Sequence, residues 1–228
     1  MKLGSSVTRA DLTRVKITGK NKGTGVYAIG ATGMVMTLDG VTVSKVQTGV
    51  VMGRGESLMI SGSSRIEFMG DYGVYVRDTV TVELAETKIT GGGKGTGVYA
   101  VGGTGNGTFT VALDGVDIEG VQMGVYMKGG KKLTMKRGSV DFTGNYGVGV
   151  YVGSLVTSAE LTEMKVVGSG KGSTGVYAGG GKVVLEKVTF EAVEIGVTML
   201  GNGTLRMEKE TRISLASGGG IGVMVGVM

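Results

Sequence analysis

Tyr75, Tyr99, Tyr126, Tyr151 and Tyr177 recur about 25 residues apart, each inside the same short phrase, Gly-x-Tyr. A phenol ring joins a flat apolar face to a polar tip, so a file of such rings suits a protein interface and offers a platform for sugar rings. The same file also stabilises neighbouring strands, by ~0.2–1 kcal/mol per cross-strand pair, without touching anything outside the molecule. A second candidate is basic: Lys128, Lys131, Lys132, Lys136 and Arg137 crowd around Gly129-Gly130, and Lys22, Lys94 and Lys171 recur farther apart. These lysines can meet sulfated glycans or an acidic receptor face through screened, salt-sensitive attraction, or can simply form a solvated charged face. A third candidate is acidic. Asp117 and Asp141 are expected to point outward on adjacent turns of the chain, where two carboxylates can share a cation or raise one another's pKa, as paired acids in polysaccharide cleavage do. The outward file expected around them reads Lys16, Thr42, Glu67, Lys88, Asp117, Asp141, Lys165, Thr189, Ser214, so Lys88 and Lys165 neutralise the acids from either side.

Other chemistry is excluded by composition. The chain has 0 His and 0 Cys, which removes disulfides, Cys-based metal sites and the commonest general base at neutral pH. No catalytic residue, metal ligand set or cofactor site is therefore expected. The Gly-rich phrases mimic phosphate-binding fingerprints, but no helix follows any of them, so a dinucleotide site is rejected. Arg54-Gly-Glu56 is not an Arg-Gly-Asp adhesion motif. A net charge of +5, from 24 Lys and Arg against 19 Asp and Glu, favours acidic partners without the dense basic stripe of a nucleic-acid binder. No apolar run approaches the ~20 residues of a membrane helix, and no charged and apolar leader opens the chain. Met1-Lys2 before Leu3-Gly-Ser-Ser reads as a start placed on a piece of a longer protein.

The elements that must position these side chains are repeats. Lys22-Gly-Thr-Gly-Val-Tyr-Ala28 returns as Lys94-Gly-Thr-Gly-Val-Tyr-Ala100 and as Lys171-Gly-Ser-Thr-Gly-Val-Tyr-Ala178, with shorter echoes between them. The unit is about 24 residues, repeated about nine times, a period that means a solenoid. Each unit holds three short alternating segments, as in Met36-Thr-Leu38, Val41-Thr-Val43 and Val50-Val-Met52. Asp39-Gly40 alone would suggest a hairpin, but a hairpin would reverse the order of segments from unit to unit, and a coil of parallel strands keeps it. The 47 Gly supply corners, and 41% hydrophobic residues against 19% charged ones leave ample material for one long core. The expected fold is all-β: a right-handed parallel β-helix of three sheets, a single domain over residues 1–228.

Aligned on the third segment, one column reads Val26, Val50, Val74, Val98, Val125, Val150, Val176, Val197, Val223, and the column two residues on reads Ala28, Met52, Val76, Ala100, Met127, Val152, Ala178, Met199, Val225. Both are expected to be buried, since side chains two apart share a face. The small, long, medium cycle of the second column marks an ancestral block of three turns. In the second segment the expected inward pairs are Val15/Ile17, Val41/Val43, Ile66/Phe68, Val116/Ile118, Val140/Phe142, Val188/Phe190 and Ile213/Leu215. Between the two buried columns lies the outward file Tyr27, Val51, Tyr75, Tyr99, Tyr126, Tyr151, Tyr177, Thr198, Met224.

The Gly-x-Gly-Val-Tyr motif, the Leu-Asp-Gly-Val segments, and the phrases Phe68-Met-Gly-Asp-Tyr-Gly-Val and Phe142-Thr-Gly-Asn-Tyr-Gly-Val resemble the passenger regions of type V autotransporters. The resemblance is most specific to the group of Bartonella angiogenic factors and inducible Bartonella autotransporters, and covers essentially the whole chain. It implies a bacterial virulence factor that is secreted or displayed on the cell surface, without the signal peptide and membrane barrel of the whole protein. It also implies a non-enzymatic proangiogenic ligand of a host receptor of the vascular endothelial growth factor receptor type; from their own chemistry, Tyr75, Tyr99, Tyr126, Tyr151, Tyr177, Lys128, Lys131 and Lys132 are the candidate contact residues, and sulfated glycans are further partners. A polysaccharide lyase or hydrolase and a purely structural stalk are the rival readings.

Overall fold

The computed structural model describes residues 1–77, 81–102 and 108–226, so most of the Gly102-to-Thr108 insertion lies outside the described residues. Among the described residues the chain forms 26 strands and no helix. Every pairing between described strands is parallel. One turn of the coil runs through Val35–Asp39, Thr42–Val46 and Thr48–Met52. These strands belong to a first face, a second face and a tyrosine face, and each pairs with its equivalent one turn later. The second face is a separate 9-stranded sheet. The other two faces merge into one hydrogen-bonded sheet, because Met123–Lys136 and Val148–Thr162 pass round the corner between them without interruption. Three faces thus form two sheets.

Asp39-Gly40 is a corner and not a hairpin. Gly40 has φ 61°, and the same left-handed position is taken by Arg14, Glu86, Gly115, Arg137, Glu163 and Lys187 in other turns. The amide leaving this corner reaches the next turn instead of folding back: Arg14 N–H donates to the Asp39 carbonyl, Glu86 to Asp114 and Arg137 to Thr162. Side chains other than glycine resist this conformation, so the tolerance of five charged residues here shows how strongly the stacked turns dictate the bend. Just past the corner, Ser64 and Thr87 are buried where other turns place Val41, Val116 or Val188. Their hydroxyls are engaged: Ser64 donates to the Ser61 carbonyl at 2.6 Å and accepts from Val41 N–H at 2.9 Å.

A second left-handed position marks the ancestral block. Lys45, Gly120 and Ala192, with φ of 53°, 63° and 54°, sit where the second face shifts register. The bulge returns every third turn, in step with the Ala, Met, Val cycle inside.

The columns are buried as expected over most of the rod. Val26 through Val197 are fully buried, and Ala28 through Met199 nearly so. The end turn departs from the expectation: Val223 is 42% and Val225 72% exposed, and Val15 and Leu215, expected inside, are also exposed. Their turns lie at the ends of the stack of described strands, with neighbours on one side only. Buried residues from Leu12 to Met199 make one continuous cluster.

A repeated close approach in the interior is made by a column of glycines heading the tyrosine face: Gly25, Gly49, Gly73, Gly97, Gly124, Gly149, Gly175 and Gly196. A Cβ on Gly97 would lie 2.5 Å from Ile118 Cγ2 and 2.8 Å from the Gly124 carbonyl; on Gly149 it would lie 2.6 Å from Val166 Cγ1 and 2.6 Å from the Gly175 carbonyl. The second-face residue of each turn, Val43, Ile66, Ile89, Ile118, Val140, Val166, Phe190 or Ile213, packs straight onto this backbone. Gly222, in the same column on the last turn, has no such neighbour within 4 Å. Gly149→Ala is expected to cost about 1–3 kcal/mol through overpacking, while Gly222→Ala stays within about 0.5 kcal/mol of the parent. The shift in urea midpoint of the two variants measures this contrast.

Candidate functional site

The tyrosine file stands on strands Tyr72–Arg77, Thr96–Val101, Met123–Lys136, Val148–Thr162 and Thr174–Ala178. Parallel in-register pairing sets Tyr75 against Tyr99, Tyr99 against Tyr126, Tyr126 against Tyr151 and Tyr151 against Tyr177. Each side chain lies between an inward Val and an inward Ala, Met or Val, so alternation drives it outward. The rings stack with centroids 5.5, 4.7, 4.6 and 5.0 Å apart and planes within 11° of parallel.

This stacking changes what the file can do. The faces of the central rings cover one another, so they are not open platforms for sugar rings. What they present outward is a row of ring edges and hydroxyls, half-buried and held rigid. Burial raises the phenol pKa of Tyr126 and Tyr151, reinforced by the neighbouring tyrosines of the stack.

Tyr72, not anticipated as a site residue, joins the ladder, with its ring 5.0 Å from Tyr75 and 4.9 Å from Tyr99, tilted by 52° to each. Period-two reasoning puts Tyr72 and Tyr75 on opposite sides. The corner overrides it: the Gly73 Cβ direction and Val74 both face the interior, so Tyr72 emerges on the same side as Tyr75. Its equivalent in the next block, Tyr146, instead takes φ 59° and is 72% exposed, lying over Gly172.

The basic candidates are divided by a corner. Lys128 follows Tyr126 and Met127 on the tyrosine face and is exposed. Lys131 and Lys132 lie beyond Gly129-Gly130, at the start of the first face, where Lys132 pairs with Thr110 and Ser158 in the neighbouring strands. Lys132 is ion-paired with Glu160 at 2.7 Å. Arg137 makes a two-pronged pair with Asp114, at 2.9 and 2.6 Å, which holds that carboxyl below its ordinary range. Two of the five residues of the basic cluster, Lys132 and Arg137, are therefore already matched by acids. Lys22, Lys94 and Lys171 are exposed in the turns that lead into the tyrosine face.

The acidic pair does not form. Register sets Asp117 opposite Ser139 and Asp141 opposite Val167, two residues farther along the strand. The expected outward file is two residues out at three turns: Arg65, Ser139 and Arg212 stand in the column where Glu67, Asp141 and Ser214 were expected. Asp117 accepts the Ser139 hydroxyl at 2.6 Å. On the same face Lys88 pairs with Glu119 at 2.9 Å and Lys165 with Glu191 at 2.8 Å. No three acidic side chains gather to hold a metal ion among the described residues.

A coil of parallel strands, glycine-cornered, filled by stacked aliphatic columns and faced with in-register side-chain ladders, defines a β-solenoid of the parallel β-helix class. Residues 7–190 match the model of the right handed beta helix region, and the chain belongs to that family. No curated protein and no solved structure matches it.

The raised phenol pKa values carry a stability consequence. The folded chain keeps those protons to higher pH than the unfolded chain, whose phenols ionise near 10.0. Stability is then fully present below pH 10 and is lost as pH rises past it. Tyrosinate absorbance should show a fraction of the 8 tyrosines titrating late, and Tyr126→Phe should reduce the alkaline loss of stability.

Proposed function

We propose that this chain is a non-enzymatic recognition rod of a secreted or surface-displayed bacterial protein, and that it binds a host cell-surface receptor of the vascular endothelial growth factor receptor type. The observation that carries the recognition reading is the ladder from Tyr75 to Tyr177, whose ring edges are fixed by stacking before any partner arrives. A preorganised surface of this kind loses little conformational entropy on binding, and tyrosine edges supply hydrogen bonds and desolvated contact together. Lys128, beside Tyr126, adds positive charge for steering. The receptor class and the bacterial origin come from the resemblance to autotransporter passengers, as does proangiogenic activity. The polysaccharide-cleaving reading has less support: Asp117 and Asp141 occupy different columns, and Glu119 and Glu191 are each held by a lysine.

The test adds the purified chain to endothelial cells and follows receptor phosphorylation, with surface binding kinetics alongside. Tyr99→Phe with Tyr126→Phe keeps the stack and removes two hydroxyls, and is expected to speed dissociation about tenfold or more, as the loss of one to two hydrogen bonds at a buried contact requires. Lys128→Glu with Lys131→Glu is expected to slow association and flatten its salt dependence. Receptor phosphorylation absent with the parent chain overturns the receptor assignment. Release of reducing sugar from an acidic polysaccharide restores the enzymatic reading.

A further inference from the structure

The tyrosine ladder has a missing step. Tyr27 pairs with Val51 and Val51 with Tyr75, so two tyrosines face each other across one turn that carries only a valine. The next block shows what fills such a step. There the equivalent trio is Tyr99, Tyr126 and Tyr151, with the Tyr126 ring stacked between its neighbours at 4.7 and 4.6 Å. Two turns separate the Tyr27 and Tyr75 strands, ~9.6 Å, so a ring inserted above Val51 would lie ~4.8 Å from each, inside the range where aromatic pairs attract.

The space is open to solvent. A groove of about 380 Å³ lies there, lined by Tyr27, Ile29, Val51, Arg54, Tyr75 and Arg77. Gly53 keeps its floor low, and Ile29 extends the apolar wall with 43% of its surface exposed. Arg54, exposed, brings a guanidinium group to the rim, which Arg77 also borders.

We propose that this gap is a docking slot for an aromatic side chain of a partner protein that is flanked by carboxylates. The flat walls select a flat ring, Val51 and Ile29 give it an apolar bed, and Arg54 favours acidic neighbours. A neutral sugar fits less well. Apart from the phenol hydroxyls, the lining side chains offer no acceptor for a ring of hydroxyl donors. The inference rests on the reading of the tyrosine face as a recognition surface, but not on the identity of the receptor.

The experiment uses two acidic nonapeptides of aspartate and glutamate, one with a central tyrosine and one with alanine there, and a heparin-derived oligosaccharide as a third probe. Binding is read from the methyl resonances of Val51 and Ile29. The tyrosine peptide is expected to shift both methyls and to bind at least tenfold more tightly than the alanine peptide. Val51→Tyr supplies the missing step from within the chain, as Tyr126 does, and is expected to fold and to lose tyrosine-peptide binding at least tenfold. Arg54→Glu, an exposed change that leaves the slot itself open, is expected to weaken binding and to remove most of its salt dependence. Equal binding of the two peptides, no shift at Val51 with either, or unaltered binding by a folded Val51→Tyr chain overturns the proposal. Shifts at Val51 caused by the heparin oligosaccharide and not by the tyrosine peptide overturn it in favour of a glycan. A chain that takes the peptide but leaves the endothelial receptor unphosphorylated fails the receptor assignment and leaves the slot intact. Signalling without any peptide binding fails the slot alone.

Discussion

The contact between a bare backbone and a branched side chain, repeated once per turn, is what the coil depends on. At the head of the tyrosine face each turn places a glycine, and the second-face Val, Ile or Phe of the following turn packs onto it at a distance that leaves no room for a Cβ. Interiors tolerate neither voids nor overlap, so this contact fixes how far the two faces close on each other. Everything farther along the tyrosine face inherits that closure. The valine after each glycine points inward, the next residue outward, and the next inward again. A different angle at this corner would rotate the whole alternation and bury the tyrosines.

In-register stacking makes every position a column, and columns have consequences of both signs. Apolar columns gain: valine on valine and the cycling Ala, Met, Val set fill the rod. Charged columns suffer repulsion, and the surface offsets it by pairing across turns. Lys88 meets Glu119, Lys132 meets Glu160, Lys165 meets Glu191, Lys187 meets Glu163 and Lys209 meets Glu186, each from one turn to the next. Exposed pairs of this kind contribute only ~0–1 kcal/mol each, so their larger effect is to offset like charges that the register stacks, such as Arg65 on Lys88 and Glu186 on Glu208. Tyrosine is the residue that can be stacked on itself at strand spacing with gain, and the outward file uses it for five consecutive turns. Stacking also takes the ring faces out of play for a ligand, except where the file is broken at Val51.

Parallel coils of this regularity, the right-handed beta helix among them, hold side chains in place without any help from a ligand. That is the physical ground for reading the tyrosine face as a recognition surface. It also explains why a carboxylate pair cannot be assumed from neighbouring positions in the sequence: in a ladder, a shift of two residues moves a side chain to another column entirely.

By itself the sequence determined the period, the parallel coil, the two buried columns and the tyrosine file, because a side-chain alternation of two and a repeat of about 24 residues survive any detail of the corners. The block of three turns was equally legible in Ala, Met and Val. The glycine before each valine was visible in the repeat, but its role was not, since nothing in the letters says which face approaches the backbone there. Only the tertiary structure decided whatever depends on bulges and corners. Lys45, Gly120 and Ala192 each insert a residue into the second face, and the register of that face sets Asp117 against Ser139 and Asp141 against Val167. The corner at Gly73 brought Tyr72 onto the ladder, while a left-handed backbone at Tyr146 carried the same phrase outward. Lys131 and Lys132 were separated from Tyr126 by a turn at Gly129-Gly130 that reads in sequence as mere proximity. In each case the deciding quantity is a local backbone angle, set by packing against the turns above and below, which a single strand of sequence does not encode by itself.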